Sequence, residues 1–208
     1  PATLADVFDR TAAHAPERLA VRDGRDWSYG ELRAWSARIT DGLVPHCRLP
    51  GERVGLMMPN SAAYVAAFYG IARTGGVIAP LNARYRSQEL VYYLGDTQAT
   101  AVIVPPALLP IITETVATLA APPTLLVVDD AGDCTVVRAG HATGRPASGT
   151  DSPPLLHQYT SGSTGAPKRV IRTHAQLLFE LERLARLFAL DVGDRLLPPA
   201  LGRIKQRR

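Results

Sequence analysis

Apolar positions along this chain follow two periods. Leu32, Trp35, Ile39 and Leu43 recur three or four residues apart, which lines one face of a helix. Ser28 precedes that run with Glu31 three residues later, the spacing of a reciprocal capping box, so a helix with one buried face is expected from there. Asn60 and Ser61 are placed to cap a second helix carrying Tyr64, Ala67, Phe68 and Ile71 and ending near Gly75-Gly76. Its aromatic residues suit a core better than a cofactor. Thr173 with Gln176 forms the same box for a helix bearing Leu177, Leu178, Leu181, Leu184, Leu187 and Phe188. The other pattern is a short, continuous apolar run: Val54–Met58, Val77-Ile78, Ala101–Val104 and Leu125–Val128 read as buried strands. Strands alternating with helices predict an α/β fold, a mostly parallel sheet flanked by helices on both faces.

A chain of 208 residues can bury a substantial core and fits one large domain or two small ones. Cys47 and Cys134 lie far apart and outside any Cys-x-x-Cys pattern, which argues for isolated thiols in a reducing compartment. His14, His46, His141 and His157 lack ligand spacing, so no metal site is expected. The apolar stretch from Ala101 to Ile112 is too short to span a bilayer and contains Pro105, Pro106 and Pro110. Asp6 and Asp9 sit in an amphipathic pattern where a secretory signal would carry basic residues and then an apolar run. A cytoplasmic protein without a membrane span is the expectation. The formal charge is +4, and Arg203, Lys205, Arg207 and Arg208 account for it; the remainder balances nineteen Lys and Arg against nineteen Asp and Glu. A basic tail can dock RNA, DNA or anionic lipid in a salt-sensitive way. No aromatic residue between Gly202 and Arg208 could stack on bases, so a solvated end is expected and nucleic-acid binding is not.

The densest chemistry lies in Tyr159-Thr-Ser-Gly-Ser-Thr-Gly-Ala-Pro-Lys-Arg-Val170. Gly162 and Gly165 let the backbone approach a ligand closely, so that peptide N–H groups can surround an anion. Thr160, Ser161, Ser163 and Thr164 add hydroxyl donors, and Lys168 adds a mobile positive charge suited to a triphosphate or a departing pyrophosphate. A Walker A loop is excluded, because Ala166 and Pro167 separate the glycine from the lysine and Arg169 follows it. Leu155 and Leu156 before the loop, and Val170 and Ile171 after it, predict strand, glycine loop, strand. The same residue types also build plain surface hairpins, and composition alone leaves both readings open.

The full string closely resembles the phosphate-binding signature of the adenylate-forming superfamily, whose members include acyl-CoA synthetases, aryl and fatty-acid ligases, luciferases and the adenylation domains of nonribosomal peptide synthetases. Leu4–Phe8, Glu17–Val21, Trp27–Leu32, Gly51–Ser61, Gly75–Asn82 and Gln88–Leu90 are similar to segments that the family carries upstream of that loop. The wording Leu81-Asn82-Ala83-Arg84 is more similar to acyl-CoA or aryl-acid ligases than to peptide-synthetase domains. Arg169 stands where the family most often has glycine, which adds a second cation beside Lys168 and removes a flexible joint. The resemblance implies ATP and magnesium as cofactors, an aliphatic or aromatic carboxylic acid as substrate, and coenzyme A as acceptor, with a role in fatty acid metabolism. It implies that Thr160, Ser161, Gly162, Ser163, Thr164, Gly165 and Lys168 hold phosphate, with Arg169 and His174 in support. His174 opens a helix whose dipole disfavours a protonated imidazole, so a neutral hydrogen-bonding group is expected there.

After Leu201 the family pattern gives way to Gly-Arg-Ile-Lys-Gln-Arg-Arg. The expected organisation is an α/β unit over 1–138, a loop or linker over 139–154, the phosphate loop and following helix over 155–201 as the start of an incomplete subdomain, and a basic tail over 202–208. On this reading the chain is the N-terminal portion of the family's large domain without the C-terminal lid, a truncated ligase inactive alone or completed by another polypeptide. The alternatives are a noncatalytic nucleotide-binding remnant and an interaction or nucleic-acid-binding module using the basic tail.

Overall fold

The computed structural model describes residues 2–47, 50–129, 131–143, 152–160, 167–191 and 193–194. In chain order the elements are α1 (Leu4–His14), β1 (Leu19–Asp23), β2 (Arg25–Ser28), α2 (Tyr29–Leu43), β3 (Arg53–Met57), α3 (Ala62–Arg73), β4 (Val77–Leu81), α4 (Ser87–Thr97), β5 (Ala101–Val104), α5 (Leu109–Val116), β6 (Thr124–Val128), β7 (Cys134–Arg138), β8 (Pro154–Thr160), β9 (Lys168–Thr173) and α6 (His174–Leu187).

Helices α1, α2, α3 and α6 start where a side chain accepts from one of their free N–H groups. At α2 the Ser28 hydroxyl accepts from the Glu31 N–H while Glu31 accepts from the Ser28 N–H. Thr173 and Gln176 exchange the same two bonds at α6, and Ser61 caps α3 by accepting from the Tyr64 N–H. A further box, Thr3 with Asp6, starts α1.

Seven strands form one sheet in the order β7-β6-β5-β3-β4-β8-β9, and β1 and β2 make a separate antiparallel ribbon. Neighbours from β6 through β8 run parallel, while β7 and β9 close the two edges antiparallel. Chain order steps from β3 to β4, then back past β3 to β5 and on to β6. Right-handed crossovers therefore put α3 on one face and α4 with α5 on the other. The cores follow. Leu32, Ile39, Leu56, Ile71, Ile78 and Ile103 fill one face with α1 to α3, and Met57, Leu90, Val102, Val104, Ile112 and Leu125 fill the other. Neighbours such as Leu56 and Met57 serve opposite cores because strand side chains alternate.

Helices α2 and α3 pack closely because Gly70 has no side chain: a Cβ there would lie 2.9 Å from Ile39 Cγ2 and 3.0 Å from the Ser36 carbonyl oxygen. Thr40 Oγ1 donates to the Gly70 carbonyl at 3.0 Å across the contact. Arg73 ends α3 and reaches Asp9 of α1 with Nε to Oδ2 at 3.0 Å. That bond heads the causes that hold the Asp9 carboxyl below its ordinary value.

Strands β8 and β9 extend the same sheet beside β4, with Ile78 opposite Leu156. Of the expected linker, residues 139–143 and 152–154 are described. Gly140 donates its N–H to Thr124 Oγ1 at 3.1 Å, and β8 begins at Pro154. The tail over 202–208 lies outside the described residues. No helix among the described residues is long and apolar enough to cross a membrane.

Candidate phosphate-binding site

The expected strand, loop, strand arrangement is present. Thr160 and Lys168 face each other as the last register pair of the β8–β9 hairpin, with Tyr159 and Arg169 the pair before them. Because β8 runs parallel to β4, the Thr160–Lys168 end of the hairpin lies at the carboxyl ends of the parallel strands, the edge at which α/β sheets bind ligands. Ser161, Gly162, Ser163, Thr164 and Gly165 lie outside the described residues. Thr160 and Lys168 are both exposed.

The two cations at the hairpin end diverge, since adjacent strand residues point to opposite faces. Arg169 sits over the last turn of α4, where Nη1 donates to the Asp96 carbonyl at 2.6 Å and to Asp96 Oδ2 at 3.3 Å. Tyr159 Oη donates to the same Oδ2 at 2.5 Å. Burial, followed by that hydrogen bond, pushes the Tyr159 hydroxyl well above its ordinary value. One turn earlier, Tyr92 Oη donates to the Pro167 carbonyl at 3.3 Å. Tyr93 packs edge-on against Tyr159, with ring centres 4.6 Å apart.

Lys168 makes no ion pair among the described residues, whereas Arg22, Arg25, Arg33, Arg73, Arg169, Arg172 and Arg186 each pair with a carboxylate. It is one of two lysines in a chain that otherwise uses arginine for its cations, the other being Lys205. A compact ammonium on a flexible stem can follow a shifting phosphate charge where a planar guanidinium would impose its own geometry.

His174 opens α6 directly after β9, about 20 Å from Lys168 at ordinary strand rise. It is 3% exposed, and its Nδ1 accepts the Leu4 N–H at 3.0 Å, so it fastens the start of α6 to the start of α1. Burial lowers its pKa, which keeps the ring neutral as the helix start also requires. His157 is buried on the β8 face that carries Tyr159, and burial moves its pKa down to about 4.

The implied magnesium finds no site built for it here: among the described residues no group of three or more His, Cys, Asp or Glu side chains could hold a metal ion. Asp96 is already engaged by Tyr159 and Arg169. Sequence reasoning did not single out Tyr92 or Asp96. Their four-residue spacing marks one face of α4, but nothing in the sequence shows which strand that face meets.

A mostly parallel α/β sheet with a β-hairpin at its carboxyl edge places the chain in the α/β class of proteins. The chain belongs to the AMP-binding enzyme family, whose profile matches residues 8–200. It is 32% identical over 199 residues to the long-chain-fatty-acid–CoA ligase FadD13 of Mycobacterium tuberculosis, covering 94% of this chain and 38% of that protein. It is 37% identical over 174 residues to a feruloyl-CoA synthase of Amycolatopsis sp, covering 81% of this chain and 33% of the synthase. Nonribosomal peptide synthetases are also among its relatives. Among solved structures, the inhibitor-bound N-terminal domain of FACL13 from Mycobacterium tuberculosis superposes with a TM-score of 0.65 at 27% identity, covering 83% of this chain and 44% of that one. The chain thus spans 38% of the fatty-acid ligase, 33% of the feruloyl-CoA synthase and 44% of the solved domain, and 8% of a dimodular nonribosomal peptide synthase of Bacillus subtilis.

Proposed function

We infer that this chain supplies the triphosphate-holding part of a site that activates a carboxylic acid with ATP. The carboxylate attacks the α-phosphorus, pyrophosphate leaves, and the acyl-adenylate is captured by a thiol, with coenzyme A as the acceptor and aliphatic or aromatic acids as the substrate class. Kinship with both a fatty-acid ligase and a feruloyl ligase supports that breadth. In-line phosphoryl chemistry requires positioning and charge neutralisation more than a nucleophilic side chain. Thr160, Ser161, Gly162, Ser163, Thr164 and Gly165 supply amide and hydroxyl donors to the β- and γ-phosphates, and Lys168 neutralises their charge. Magnesium enters as the counter-ion of ATP, held mainly by the phosphates. Arg169 and His174 serve the frame around the site, not the phosphates.

The observation that carries this reading is the placement of Lys168, exposed and across the hairpin from an exposed Thr160 at the carboxyl ends of the parallel strands. Calorimetric titration of the chain with magnesium-ATP tests it. Lys168→Ala is expected to weaken binding roughly tenfold to a hundredfold, the range for losing a charged hydrogen bond, with the melting temperature unchanged. Equal affinity in the two proteins would overturn the reading. Carboxylate-dependent pyrophosphate exchange across a panel of acids then identifies the substrate class.

A further inference from the structure

Strand β9 is the outer edge of the sheet, and Lys168, Arg169, Val170 and Ile171 on it are all exposed. The β8–β9 hairpin therefore has a neighbouring strand on one side only. Its steadying contacts at the loop end come from one face of α4. Tyr92 and Asp96, four residues apart on that helix, reach Pro167, Tyr159 and Arg169. Tyr159 and Arg169 are the register pair directly behind Thr160 and Lys168, and Pro167 directly precedes Lys168. Both stems are thus fastened to the same helix, one residue behind the pair that faces the ligand. Asp96 engages both stems at once through a single carboxylate oxygen, and adds its carbonyl to Arg169.

We propose that Asp96 is a positioning residue for the phosphate site: with Arg169 as a strut and Tyr92 as a second tie, it holds the Thr160 and Lys168 stems in one geometry. The proposal rests on the phosphate-holding reading of the hairpin. Arg169 becomes a structural link in place of the glycine joint that the family usually has there, not a second phosphate cation. The physical benefit is entropic. An edge hairpin ordered before ATP arrives loses less freedom on binding than one free to splay. Asp96 touches neither ATP nor the reacting atoms; it acts through Tyr159 and Arg169.

Two measurements on the whole chain test this. The first needs no ligand: amide hydrogen exchange at the hairpin stems, residues 157–160 and 168–171, with the amides of β3 and β5 as internal reference. Asp96→Asn and Arg169→Gly are each expected to speed stem exchange roughly threefold to tenfold, the scale of one partly exposed, charge-assisted contact, while the reference amides are unmoved. Combining the two substitutions should add little to either alone, since they cut the same link. Unchanged stem exchange in both variants would overturn the proposal. Acceleration that spreads equally to β3 and β5 would do so too, because it would make Asp96 a general stability residue.

The second measurement is titration with magnesium-ATP. Positioning predicts that Asp96→Asn weakens binding by a similar factor. If Arg169 instead contacts phosphate directly, removing its carboxylate partner frees it, and Asp96→Asn leaves affinity unchanged or tightens it; that result would overturn the strut. Lys168→Ala separates the two ideas. A Lys168→Ala protein that binds ATP normally sinks the phosphate reading, whereas the hydrogen-exchange result still decides whether Asp96 orders the hairpin.

Discussion

Helices α2 and α6 begin alike and end differently. Each opens with a reciprocal capping box, Ser28 with Glu31 and Thr173 with Gln176, and each carries apolar residues at helical spacing. Helix α2 buries Leu32, Trp35, Ser36, Ile39 and Leu43 along its whole length. Helix α6 buries only His174 fully. Its Leu177 and Leu178 pack against the first core, while Leu187 is 75% and Phe188 57% exposed. The same local signal thus produces a helix in both places, and only in one does the fold cover the apolar stripe. The difference is positional: α2 runs across α3 in a layer already seated on the sheet, whereas α6 follows the outermost strand and meets α1 at its start.

The sharpest way to break the comparison is to truncate each stripe. Ile39→Ala, at a fully buried site, is expected to cost about 2–5 kcal/mol in urea unfolding, and Leu187→Ala at most about 0.5 kcal/mol. Equal costs would mean that α6 is as embedded as α2. Acid gives the next largest effect, because β8 carries a buried imidazole, His157, and His174 ties the start of α6 to α1. The folded-state pKa of His157 is lowered to about 4, so the unfolded chain takes up a proton first. Its contribution is complete above the ordinary value near 6.5 and is lost as pH falls from there to about 4, by at most about 3 kcal/mol before solvent screening reduces it. His174 is shifted in the same direction by burial. Urea midpoints at neutral pH and near pH 4.5 should therefore separate, and His157→Gln should narrow the gap. Hydrogen exchange in the same acid range should show α6 opening before α2.

Cap removal is the smaller test. Ser28→Ala and Thr173→Ala each remove one side-chain acceptor, worth about 1 kcal/mol. In α2 that loss should lower the global unfolding free energy. In α6 it should register chiefly as faster local exchange with the global value little moved, since weakly packed segments open on their own. A global loss of the same size from both variants would show that α6 unfolds with the core.

Much of this architecture was legible in the sequence. The four apolar runs became β3 to β6, the caps at Ser28, Ser61 and Thr173 stand where spacing placed them, and the glycine loop joins two strands. These depend on contacts three or four residues apart, or on an unbroken apolar run. The Thr3 box has the same three-residue spacing, with Asp6 in the place that Glu or Gln usually takes. The site was legible only in its chemistry. Lys168 and Arg169 are adjacent in sequence and read as a pair of cations, yet the pleat turns them to opposite faces, and Asp96, 73 residues from Arg169, takes the arginine.

The sequence alone determined the alternation of strands and helices, where the capped helices begin, and that a hydroxyl-rich glycine loop with one lysine follows a strand. Short-range forces decide those features: helix periodicity, caps and the backbone freedom of glycine. Only the tertiary structure decided which apolar faces are covered and that Asp96 takes Arg169 and not Lys168. Those outcomes rest on the crossover that brings α4 beneath the hairpin and on the antiparallel edge strand that α6 follows, and burial and ion pairing depend on such distant neighbours.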